Sequence, residues 1–159
     1  MRTRFALALL ITAVTAVSMP AQDIGDIVFT DEVADEIRMI PGAGGAPTTL
    51  LSFGPSARLS DIVPGPDGSH FVTNGPLPVG DPSEASLLRV EDLFGTPRLT
   101  TVAMGTPIQN PIGLAFHPLT NNMLAVNNPG ANLVVDRFEG ILGIDIGTGF
   151  VTEVFAEMF

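Results

Sequence analysis

The 159-residue chain contains no cysteine, no lysine, no tryptophan and no tyrosine. Without cysteine there can be no disulfide, no thiolate metal site and no thiol nucleophile, so stability must come from packing. Without lysine, and with 17 acidic against 7 basic residues for a net charge of −10, the chain lacks the clustered cations that phosphate neutralisation requires. Nucleic acid is therefore not an expected partner. Phenylalanine is the only aromatic residue, which removes the amphipathic rings that usually serve as platforms for polar ligands. No Asn is followed by the x-Ser/Thr acceptor pattern, so sequon glycosylation has no site. No apolar run reaches the roughly 20 residues of a transmembrane helix; the uncharged apolar run near the N-terminus, Phe5 to Val17, has thirteen residues.

That stretch follows Arg2 and Arg4 and precedes small residues, the arrangement of a secretory signal peptide. Residues 1–21 are read as the leader, with cleavage after Ser18 or Ala21, and the mature chain as extracytoplasmic and free of the membrane. Loss of the two arginines makes the acidic excess larger by two.

Residues 22–159 are one domain's length. Hydrophobic residues make up 45% of the chain and charged ones 15%, too apolar a composition for disorder. Seventeen glycines and 14 prolines imply many tight turns between short elements, which favours turn-rich β structure over a helical bundle.

Internal repetition organises this segment. GDIVFTD (25–31), GSHFVTN (68–74) and NNMLAVN (121–127) superimpose column by column, Val28, Phe71 and Leu124 standing 43 and 53 residues apart and Asp31, Asn74 and Asn127 likewise. A further strand precedes the second and third copies, in LSDIVPGPDG (59–68) and PIGLAFHPLTN (111–121), with Ile62 and Val63 matching Leu114 and Ala115. Two more strands follow each copy: EIRMI and TTLLSF, SLLRV and LTTVAM, ILGIDI and VTEVF. Up to four antiparallel strands recurring at this period are the signature of propeller blades. The expectation is an all-β fold of antiparallel blade-like sheets, an incomplete β-propeller behind a signal-peptide helix. The blades are placed at 22–53, 54–104 and 105–159, and the first lacks its first strand.

PIGLAFHP followed by NMLAVN resembles the strand pair of the NHL-repeat, streptogramin-lyase-like and gluconolactonase-like β-propellers. The resemblance implies the fold over nearly all of the mature chain, and a metal-assisted lactonase or lyase as one kind of activity. The gluconolactonase-like metal site includes an Asn in a P-N-G version of the motif, where this chain has Pro111-Ile112-Gly113 and, in the preceding blade, Ser60. The resemblance therefore implies the fold and weakens the lactonase.

Three blades are too few for a closed ring. The chain is then expected to be a fragment of a longer propeller, or to self-associate through its open blade edges, two copies giving six blades.

Asp31, Asn74 and Asn127 form the strongest candidate set, because equivalent oxygens in successive blades could hold a hard cation such as calcium. The commoner role of such residues is to end strands and begin turns. Glu32, Asp35 and Glu36 add charge beside Asp31 but read as a solvated loop relieved by Arg38, and GDPSEAS (80–86) as another acidic loop. His70 and His117 have no catalytic partner at any telling spacing. The function expected is a non-catalytic binding or scaffold module for an unidentified ligand or protein, with no catalytic residue assigned and no cofactor. The alternative is a calcium-dependent enzyme.

Overall fold

A computed structural model describes residues 25–55, 57–75, 84–128 and 140–156; the segment 1–21 expected to be a leader lies outside them. Among the described residues eleven strands form three antiparallel sheets. The first sheet holds β1 (Ile27–Asp31), β2 (Glu36–Ile40) and β3 (Thr48–Ser52). The second holds β4 (Leu59–Pro64), β5 (His70–Asn74), β6 (Ser86–Glu91) and β7 (Arg98–Met104). The third holds β8 (Pro111–His117), β9 (Asn122–Asn127), β10 (Gly140–Asp145) and β11 (Val151–Ala156). Each sheet is a simple meander, as expected when short β-branched runs alternate with turn residues. Among the described residues there is no α-helix, and no helix is long and apolar enough to cross a membrane.

The turns follow from residue type. Gly68 after β4 and Asn121 after β8 take φ of +82° and +57°, values open to Gly and tolerated by Asn. Gly149, at φ +72°, lies so close to the Val102 carbonyl of β7 that a Cβ would collide with it. It thus seats the third sheet on the second.

The strands β1, β4 and β8 lie side by side where the sheets meet. Two apolar cores fill the gaps between sheets. Ile37, Leu59, Val72, Val90 and Leu93 close the first gap; Phe71, Leu87, Ile108, Met123, Leu142 and Ile144 close the second. Because side chains alternate across a strand, Phe71 enters one core and its neighbour Val72 the other.

Matching breaks of register mark the repeat. In β4 one extra residue falls between Leu59 and Ile62 against β5, and in β8 one falls between Pro111 and Gly113 against β9. Such bulges re-aim backbone groups; here they sit where sheet meets sheet.

Candidate functional site

Asp31, Asn74 and Asn127 end β1, β5 and β9, and in each the side-chain oxygen accepts backbone N–H groups. The Asn74 side-chain carbonyl accepts the Arg58 N–H at 3.0 Å, while the Gly75 N–H donates to the Arg58 carbonyl at 2.9 Å. Asn127, 1% exposed, does the same one repeat later. Its Oδ1 accepts the N–H groups of Gln109 and Asn110 at 2.9 and 3.1 Å, its Nδ2 donates to the Pro107 carbonyl at 3.2 Å, and the Asn128 N–H donates to the Asn110 carbonyl at 3.0 Å. Both asparagines thus clasp the chain just ahead of the first strand of their own sheet.

Asp31 has no such segment beside it among the described residues and turns to its own loop. Its Oδ1 accepts the Val33 and Ala34 N–H groups at 3.2 and 3.1 Å, and its Oδ2 meets Arg38 at 2.9 Å. The Arg38 hydrogen bond, helped by the Ala34 N–H, holds the Asp31 carboxyl below its ordinary range. Arg38 also reaches Glu36 at 3.7 Å, which in turn accepts from Thr49 and Ser52, and Glu32 pairs with Arg58. Arg38 and Arg58 thus offset part of the loop's negative charge. Glu84 to Ser86 are the only part of the 80–86 loop within the described residues.

Neither histidine meets a carboxylate in the hydrogen bonds or ion pairs of the described residues. His70 is 7% exposed, edge-on to Phe94 with ring centroids 5.7 Å apart, and its Nδ1 is buried with no hydrogen-bond partner. Burial lowers its pKa below the ordinary 6.5, because the charged ring is less well solvated there. His117 Nδ1 lies 3.0 Å from the Thr120 hydroxyl, in the turn after β8.

One residue that sequence reasoning passed over joins two sheets. Asp61 of β4 accepts the Leu114 N–H of β8 on Oδ2 at 2.8 Å and the Ile62 N–H on Oδ1 at 2.8 Å. The signal was available: a lone carboxylate inside the apolar run LSDIVP, where the equivalent residue of the next copy is Gly113. Asp61 also borders a hollow of about 270 Å³ whose other lining is apolar, including Gly113, Ala115, Leu124, Val126 and Ile141. A second, polar cleft of about 180 Å³ lies at Asp67, Ser69, Arg89 and Glu91; Arg89 pairs there with Asp67 and Glu91, and the Ser69 hydroxyl depresses the Asp67 pKa. Among the described residues no group of three or more His, Cys, Asp or Glu side chains could hold a metal ion.

No family model matches the chain, and no curated protein does. Its structure is similar to that of a Bacteroides uniformis protein described as a candidate 6-phosphogluconolactonase, at 14% identity and a TM-score of 0.49. The match covers 82% of this chain and 36% of that one, so this chain spans little more than a third of that protein's length.

Proposed function

We propose that the chain is an extracytoplasmic, non-catalytic β-propeller module of the NHL-repeat and gluconolactonase-like kind, serving as a binding or scaffold element. One observation carries this reading. The polar side chains that recur in register, Asn74 and Asn127 above all, spend their oxygens on backbone N–H groups of the framework. Residues that recur because they hold the repeat together need no substrate to explain them.

Ile112 in place of a ligand Asn, and histidines without a carboxylate orienter among the described residues, support the same reading. The acidic charge and the lack of lysine favour a protein or neutral ligand over a nucleic acid.

The alternative, a calcium-assisted lactonase or lyase, would need Asp31, Asn74 or Asn127 to offer oxygen to a cation besides the backbone N–H groups they already accept. Thermal melting with and without millimolar calcium separates the two. A ligand held only by the native state adds about 2.7 kcal/mol at 100 times its Kd, so an unchanged Tm is expected and a calcium-dependent rise would favour the enzyme. Lactone hydrolysis that disappears in His117→Ala or His70→Ala would also overturn the proposal. Export is tested by intact mass from a secreting host, the expected chain starting between Met19 and Asp23.

A further inference from the structure

The clasp that ends β5 puts two particular residues side by side. It uses an asparagine at 74, whose side-chain carbonyl takes the Arg58 N–H at 3.0 Å. It also needs a residue without a side chain at 75, because a Cβ there would stand 2.8 Å from Asn110 Oδ1. Asn110 is not free to yield, since its Nδ2 donates to the Asn128 carbonyl at 2.6 Å. The joint therefore calls for Asn-Gly, and 74–75 is the one Asn-Gly pair in the chain. The matching positions of the other two copies read Asp31-Glu32 and Asn127-Asn128.

An asparagine followed by glycine is open to attack by its own backbone, because no Cβ on the glycine hinders the approach of its nitrogen to the asparagine side chain. The Gly75 nitrogen gives up its proton to base and bonds to Asn74 Cγ. The Cγ–Nδ2 bond breaks, and the side-chain nitrogen takes up a proton and leaves as ammonia. Water then adds to one of the two carbonyls of the five-membered imide. Opening at one carbonyl leaves aspartate at 74. Opening at the other leaves an isoaspartyl link, in which the main chain runs through the former side chain and is longer by a methylene. Base and water are the only co-reactants.

In the folded chain each group in this step is engaged elsewhere. The Gly75 N–H donates to the Arg58 carbonyl at 2.9 Å, Asn74 Oδ1 holds the Arg58 N–H, and Asn74 Nδ2 lies 3.5 Å from the Ser86 hydroxyl oxygen. Gly75 is buried, and Asn74 is half-buried at the end of a paired strand. The side-chain amide is thus held toward β6 and the segment ahead of β4, away from the Gly75 nitrogen, and the Gly75 proton is shielded from base. We infer that Asn74–Gly75 is a site of spontaneous deamidation that the clasp keeps shut, so that the modification marks chains in which the joint ahead of β4 has opened. The rate in native conditions is then the rate of the free chain multiplied by the fraction of time the clasp stands open. The two products behave differently afterwards. Aspartate at 74 still offers an oxygen to the Arg58 N–H, whereas the lengthened isoaspartyl chain carries the Gly75 N–H away from the Arg58 carbonyl. An opening long enough to modify the pair is therefore partly irreversible. This holds whether or not the module is catalytic.

The full chain, recovered from a secreting host, is incubated at mildly alkaline pH in buffer and in guanidinium chloride, and the tryptic peptide from Leu59 to Arg89 is followed by mass. Conversion of amide to acid at 74 is expected in denaturant, with fragmentation showing both aspartyl and isoaspartyl forms. In buffer it should be at least about tenfold slower, the factor given by an opening free energy of about 1.4 kcal/mol. Gly75→Ala should slow conversion in denaturant, where the fold plays no part and the added Cβ hinders the nitrogen. Below the unfolding midpoint, conversion should rise with denaturant in step with hydrogen exchange of the Gly75 amide. After removal of denaturant the refolded fraction should carry asparagine or aspartate at 74 and be depleted in isoaspartyl chains. Equal rates with and without denaturant would overturn the inference. So would a denatured chain in which Asn74 is spared, or isoaspartyl chains that refold with the Gly75 amide as protected as before.

Discussion

β5 and β9 have the same place in the repeat and different surroundings. In β5 the four residues His70 to Thr73 are all buried, whereas in β9 exposure alternates, Met123 and Ala125 inside and Val126 out. Among the described residues the middle sheet has a neighbour on both faces and the last sheet on one. Polar residues differ in the same way. Asn74 and Asn127 have a preceding segment to clasp, and Asp31, their counterpart, closes its own turn. Asp61 ties the second sheet to the third, and the third has Gly113 at that place. A repeat unit carries the means of being joined, and its neighbours decide which of them are used.

Replacing core residues in the two sheets should separate them most widely. Phe71→Ala is expected to cost about 3–5 kcal/mol in urea unfolding, as for other fully buried aromatics, and Leu124→Ala, at a half-buried position, clearly less. Equal losses would mean that the last sheet is covered after all. Next come the clasps. Asn127→Ala strands two backbone N–H groups, each worth about 1–3 kcal/mol when left without a partner inside. It should exceed Asn74→Ala, which strands one, and Asp31→Ala should be the mildest of the three.

Asp61→Ala removes the acceptor of the Leu114 N–H, and a loss of about 1–3 kcal/mol is expected. Hydrogen exchange is the sharper readout: Leu114 should exchange faster in the variant, with the first sheet unaffected.

The smallest effects depend on pH. His70 has a folded pKa below 6.5, so the unfolded chain binds its proton first as pH falls. Stability should therefore decline as pH drops below about 6.5, until the folded value is reached. His70→Phe should flatten that slope. At lower pH the depressed carboxyls of Asp31, Asp67 and Asp145 contribute stability above their ordinary value of 3.8 that is lost as pH falls through the folded values. Asp31→Asn should remove a small part of this acid sensitivity, and a larger effect than Asn74→Ala would contradict the contrast between first and second sheets.

Much of the fold was legible because it rests on local periodicity. The alternation in IVFT, HFVT and MLAV, the Gly and Asn turns and the register of three copies specify strands, hairpins and their grouping into sheets, since each depends only on residues near in sequence. The candidate site was legible only as a pattern. Asp31, Asn74 and Asn127 align in sequence, yet their partners are 2 to 20 residues away, and the bond from the Leu114 N–H to Asp61 spans 53. Which face of a strand is covered, which carboxylate meets an N–H and which is neutralised by an arginine are set by how sheets stack. That is a matter of long-range packing, and the chain's composition and spacing are the same on a buried face as on an open one. The amino-acid sequence by itself determined the strands and their repeat; the tertiary structure alone decided that the middle sheet is interior on both sides and that, among the described residues, Val126 and Val154 of the last sheet are turned outward.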